Sequence, residues 1–163
     1  MKAVLFDLGN TLEENDVLLP DALETLEEIA GLRSTGGEPA ALGLVSDFLM
    51  PEDDGQIAHI RQEYFAILES LGIRSFFEPV ERRVTLSTEV GVFKPDERIF
   101  RAALDKIEPN LAFADAMFIT ENPGHVNAAR QLGMVAVAFR GPEATGGVAR
   151  LLDLIPRVVA FLG

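Results

Sequence analysis

The sequence predicts an α/β fold: a three-layer, Rossmann-like parallel sheet with helices on both faces and no substantial cap domain. Two observations carry this. Short apolar runs alternate with longer stretches of helical periodicity along the whole chain, and such alternation argues for a parallel sheet covered on both sides. The chain has 163 residues and no repeat, low-complexity tract or linker that would divide it, so residues 1–163 are expected to form one domain. With 48% hydrophobic residues it can build a real core, since a domain of about 150 residues buries roughly 68–70% of its unfolded surface.

The elements follow in order. Residues 2–8 form a continuous apolar run that stops at Gly9-Asn10, the pattern of a buried strand. Over 20–32, Pro20 suits a first turn, Leu23, Leu26, Ile29 and Ala30 share a face, and Gly31 stands near the end, so a helix is predicted. Residues 34–39 read as a loop and 40–46 as a second strand ending in Ser46. A turn at 51–55 precedes a helix over 56–71, with Ile57, Ile60, Tyr64, Ile67, Leu68 and Leu71 at helical spacing. Residues 84–86 read as a short strand, 95–107 as a helix opening on a proline, and 116–120 as a strand. Asn122-Pro123 has the form of an N-cap followed by a first-turn proline, leading a helix to about residue 132. A strand over 134–139 and a terminal helix over 148–162, broken or kinked near Pro156, complete the chain.

Composition excludes several functions. There are no cysteines, hence no disulfide or thiolate metal site, and only two histidines, too few for a histidine-rich zinc site. A net charge of −12 without a basic stripe argues against nucleic acid as a partner. The first residues lack the apolar core of a signal peptide and no run approaches a membrane span, so no membrane partner and a cytoplasmic location are expected.

Parallel sheets bind ligands at the carboxyl ends of their strands. Three predicted strands end there in polar groups: Asp7, Ser46-Asp47 and Thr120-Glu121, with Lys94 in a loop before a helix. Each has an ordinary structural explanation alone, as a turn cap, a surface lysine or a first-turn acid. Their joint occurrence at successive strand ends points to a site.

On these residues the chain resembles the haloacid dehalogenase (HAD) superfamily of hydrolases. FDLGNTL (6–12) resembles its first motif, LVSD (44–47) its second, STEVGVFKPDERIF (87–100) the segment around its phosphate-facing lysine, and MFITENPGHVNAARQLGM (117–134) its fourth. The resemblance implies Asp7 as nucleophile, Ser46 as a phosphoryl-oxygen contact and Lys94 as a catalytic cation. The expected phosphate-binding set is Ser46, Asp47, Lys94 and Asn10. The resemblance further implies Mg²⁺ on the Asp7 side chain, the Gly9 carbonyl and Glu121, a hard cation suited to carboxylates and phosphate. The expected activity is magnesium-dependent hydrolysis of a phosphoric monoester through an aspartyl-phosphate. The expected substrate is a phosphorylated small molecule or macromolecule, and the expected state a monomer or homodimer.

The motifs depart from the family pattern at several positions. The phosphatases of the family carry an acid–base aspartate two residues after the nucleophile, where this chain has Gly9. Asp47, Thr120, Glu121 and His125 also differ from the usual residues. Glu13, Glu14, Asp47 and His125 are the candidates to replace the missing acid, and the sequence does not rank them. Only a short stretch, 13–19, follows the first motif, and 50–88 is filled by one helix and one strand, which is why no cap is expected. The alternative to an enzyme is a catalytically degenerate HAD-fold protein that binds a phosphorylated ligand or a partner protein.

Overall fold

Val4, Leu5 and Phe6 have no exposed surface, so the strand they form, β1 (Ala3–Phe6), is covered on both faces. In the computed structural model, which describes residues 1–163, β1 is the centre of a five-stranded parallel sheet. The other strands are β4 (Ala41–Ser46), β5 (Val84–Leu86), β6 (Ala116–Thr120) and β7 (Val135–Ala138), in the order β5-β4-β1-β6-β7. Ala3 is in register with Ala41 on one side and Ala116 on the other. The chain winds outward from β1 through β4 to β5, then crosses to β6 and β7. The order therefore reverses at β1, and the carboxyl end of β1 is the crevice where such sheets bind ligands.

Successive β1 side chains point to opposite layers. Val4 and Phe6 pack with α1 (Ala22–Gly31), α2 (Ile57–Leu71) and α7 (Leu154–Leu162), whereas Ala3 and Leu5 pack with α5 (Glu97–Ile107) and α6 (Pro123–Gln131). In α5, Ile99, Phe100, Ala103, Leu104 and Ile107 recur along one buried stripe, and Asp96 caps the helix by accepting a 2.9 Å bond from the Arg98 N–H. Phe100 meets Phe118 of β6 edge to face at 5.1 Å, both fully buried. Phe100→Ala is expected to cost about 3–5 kcal/mol of stability, read as a lowered urea midpoint at an unchanged slope.

Gly43 leaves room for Leu5 of the adjacent strand β1 and for the backbone at Arg83 to lie against β4. A Cβ there would stand 2.8 Å from Leu5 Cδ2 and 3.0 Å from the Arg83 carbonyl oxygen, closer than packed atoms approach.

Some boundaries differ from the sequence reading, each for a local reason. Pro20 lies before α1, because Asp21 adopts φ 68 and separates it from the helix. Residues 13–18 fold into a hairpin of β2 (Glu13–Glu14) and β3 (Val17–Leu18), whose turn residues Asn15 and Asp16 have φ 52 and 63. Positive φ at both central positions suits the twist of a tight hairpin. The short helices α3 (Val80–Arg83) and α4 (Ser87–Val90) flank β5, and neither was anticipated. Val148 is bridged to Phe139 and not helical. Pro156 does not break the last helix. It sits in the first turn of α7, where its missing N–H would have no partner in any case. No domain is inserted after β1 or between β4 and β5, as the sequence predicts. No helix is long and apolar enough to cross a membrane.

Candidate active site

Asp7 is the first residue past β1, and its N–H still bonds the Ile119 carbonyl of β6 at 3.0 Å. The sheet thus holds its backbone while its carboxylate, 16% exposed, faces a cleft of about 360 Å³ at the carboxyl edge. Oδ1 accepts a 2.7 Å bond from Lys94 Nζ, and Oδ2 accepts one of 3.2 Å from the Thr120 hydroxyl. Two strands and one loop therefore converge on a single carboxylate.

The Lys94 side chain is only 2% exposed. Its ammonium also donates to the Val45 carbonyl at 2.8 Å, and its backbone N–H donates to Asp47 Oδ1 at 2.8 Å. Asp47 thus anchors the loop that carries the cation, while its own side chain lines the cleft. Burying an ammonium is costly unless it is paired and hydrogen-bonded, and here Asp7 and Val45 meet that need.

Ser46 closes β4, and its Oγ lies 2.6 Å from the Tyr64 hydroxyl of α2. Tyr64 was expected as a core residue on the apolar stripe of α2. It is buried, yet its hydroxyl end lines the cleft. No helical periodicity distinguishes such a tyrosine; only the packing of α2 against β4 brings it to Ser46. Burial pushes the Tyr64 phenol well above its ordinary 10.0, with the carboxylates of Asp7 and Glu13 adding to the shift and the Ser46 bond opposing it. The folded state thus holds this proton more tightly than the unfolded chain does. That contribution to stability is complete below the ordinary tyrosine pKa and is lost as pH rises above it. Tyr64 is the only tyrosine and there is no tryptophan. Absorbance titration should therefore show no phenolate near pH 10.0 in the folded protein, and phenolate only together with alkaline unfolding.

His125 follows the N-cap of α6, where Asn122 Oδ1 accepts its backbone N–H at 3.2 Å. Its ring lines the cleft with Nδ1 buried and unbonded. Burial lowers its pKa, nearby Lys94 lowers it further, and Asp47 and Asp7 partly compensate, so the ring is neutral at pH 7.

The cleft therefore gathers Asp7, Gly9, Ser46, Asp47 and Lys94 of the expected site together with Glu13 and His125 of the candidate acids, and adds Tyr64 and Asp16. Two expected residues stand elsewhere. Asn10 is exposed in a left-handed turn at φ 59, outside the cleft lining, because its backbone N–H is engaged by the Glu13 carbonyl at 2.7 Å. Glu121 is exposed and lines the neighbouring cavity beside Arg130 and Arg140. The reason is local: Thr120 already takes the place beside Asp7, and the Glu121 N–H is held by the Thr11 hydroxyl at 3.1 Å.

The implied magnesium set does not converge. Asp7 and Gly9 reach the cleft but Glu121 does not, both Asp7 oxygens have partners, and no three acidic or histidine side chains cluster as a metal site.

No protein-family model and no curated protein matches the chain. Solved structures do. A HAD-superfamily hydrolase from Ehrlichia chaffeensis is 13% identical, with all of both chains covered and a TM-score of 0.68. A dehalogenase is 16% identical over 98% of this chain and 97% of its own, with a TM-score of 0.69. Magnesium-bound YfnB of Bacillus subtilis is 14% identical over 86% of this chain, which spans only 56% of YfnB, with a TM-score of 0.63. The TM-scores and the shared extent identify the architecture: this chain has the HAD-like fold.

Proposed function

We infer that the chain is a phosphohydrolase that passes a phosphoryl group first to Asp7 and then to water. The observation that carries the inference is the Asp7–Lys94 pair at 2.7 Å, placed at the switch point of the sheet with Ser46 and Tyr64 beside it. An Asp7 oxygen attacks phosphorus, the bond from phosphorus to the leaving oxygen breaks, and that oxygen departs with the electron pair. Water then attacks the phosphorus of the aspartyl-phosphate, and the Asp7 carboxylate is regenerated. Splitting one displacement into two is the advantage of a covalent nucleophile. Lys94 supplies fixed positive charge to the transferring group, and the Ser46 hydroxyl a hydrogen bond.

Four carboxylates line the cleft against one ammonium, so a phosphate dianion needs a further cation. Magnesium would arrive on the oxygens of the substrate's phosphate, with no preformed protein site required. Without a cap the cleft is open, which suits a phosphorylated macromolecule as well as a small phosphate ester. The test is acid quenching after incubation with acetyl phosphate, with and without magnesium. Phosphate bound covalently at Asp7 is expected; phosphate release with no label on Asp7 would overturn the reading.

A second reading, binding without turnover, has one observation in its favour: Gly9 brings no carboxylate to the cleft. Under it, beryllofluoride binds at Asp7 and no substrate is hydrolysed.

A further inference from the structure

The proposed reaction needs a group that gives a proton to the leaving oxygen and takes one from water. Among the cleft residues, Tyr64 holds its proton tightly through burial, and the Lys94 ammonium is spent on Asp7 and Val45. Asp47 Oδ1 accepts the Lys94 backbone N–H. His125 Nδ1 has no partner to orient its ring. Glu14 does not line the cleft.

Glu13 is set apart by its place beside Gly9. Its backbone is fixed on both sides, its N–H donating to Leu8 at 3.1 Å and its carbonyl accepting from Asn10 at 2.7 Å. One carboxylate oxygen, Oε2, accepts the Asp16 N–H of the hairpin turn at 3.1 Å. The other, Oε1, has no protein partner and lies beside Gly9. A Cβ built on Gly9 would find Glu13 Oε1 at 3.7 Å and no other atom within 4 Å. The hairpin thus brings a carboxylate beside the space that a side chain at position 9 would enter, in the cleft that Asp7 also lines.

We propose that Glu13 is the general acid and base of the Asp7 reaction. The assignment rests on the phosphohydrolase reading above. As Asp7 attacks phosphorus, Glu13 Oε1–H protonates the departing oxygen. In the second step Glu13 takes a proton from the attacking water, the bond from phosphorus to Asp7 breaks, and the electron pair returns to the Asp7 carboxylate.

The experiment compares phenyl phosphate, whose leaving oxygen must be protonated, with acetyl phosphate, whose carboxylate leaves unaided. Glu13→Gln keeps an oxygen for the Asp16 N–H and removes the transferable proton. Its kcat/KM for phenyl phosphate should fall about 10²-fold or more, the usual worth of general acid–base catalysis. Its kcat/KM for acetyl phosphate should fall far less than that for phenyl phosphate, while phosphoenzyme accumulates because water is no longer activated. Adding Gly9→Asp to Glu13→Gln should restore much of the lost phenyl phosphate activity, since a Cβ at position 9 makes only an ordinary contact, 3.7 Å from Glu13 Oε1. Equal losses of kcat/KM on both substrates, or none on phenyl phosphate, would overturn the Glu13 assignment alone. Phosphate release that survives Asp7→Asn would overturn the Asp7 reading, and with it the role given to Glu13.

Discussion

Asp7→Asn should abolish phosphate release from every substrate and leave no phosphoenzyme to trap. The carboxamide is nearly isosteric, and its oxygen can still accept the Lys94 N–H now bound at 2.7 Å. It cannot form the acyl phosphate at an ordinary rate. Removing a covalent nucleophile costs up to about 10⁶-fold in kcat, so the residual rate should be only what binding and the remaining fixed charge supply. The substitution also leaves the Lys94 ammonium, on a side chain only 2% exposed, without its counter-charge. Some loss of stability is therefore expected, and activity must be read well below the new unfolding midpoint. Folded Asp7→Asn protein that still turns over would remove the nucleophile from this residue.

Lys94→Met carries the second large effect, and it acts on both stability and rate. The long apolar side chain of methionine fills the lysine channel past Phe118, whose ring centroid lies 5.7 Å from Nζ. It restores no charge, so the Asp7 carboxylate keeps only the Thr120 hydroxyl at 3.2 Å. Removing one partner of a buried ion pair typically costs about 3–5 kcal/mol. Losing one fixed donor to the developing charge should lower kcat about 10²–10³-fold. Urea unfolding of both single variants and of Asp7→Asn with Lys94→Met separates the two effects. Residues in direct contact couple, so the double variant should be clearly more stable than the sum of the single losses implies. Strictly additive losses would show that the pair contributes nothing as a pair.

Most of the fold was legible in the chain because its signals are local. Burial on both faces makes β1, β4 and β6 near-continuous apolar runs, the form strands take in parallel sheets. The Asn122-Pro123 start of α6 was equally readable, since the cap and the proline act within one turn. The hairpin at Glu13–Leu18 was missed because its turn uses Asn15 and Asp16 at positive φ without a glycine. Pro156 misled because a proline's effect depends on which turn of the helix it occupies.

The sequence by itself determined which polar residues end the strands: Asp7 and Ser46-Asp47 face the cleft because strand ends in a parallel sheet share one edge. Only the tertiary structure decided what those residues do to one another. Lys94 reaches Asp7 across 87 positions of chain and Thr120 across 113. Tyr64 meets Ser46 through the packing of α2, Glu121 lines the neighbouring cavity, and Glu13 comes beside Gly9 through a two-strand hairpin. The physical reason is one of range. Periodicity and capping are set by neighbours three or four residues apart, whereas the partner of a carboxylate is set by strand register and helix packing across the whole domain.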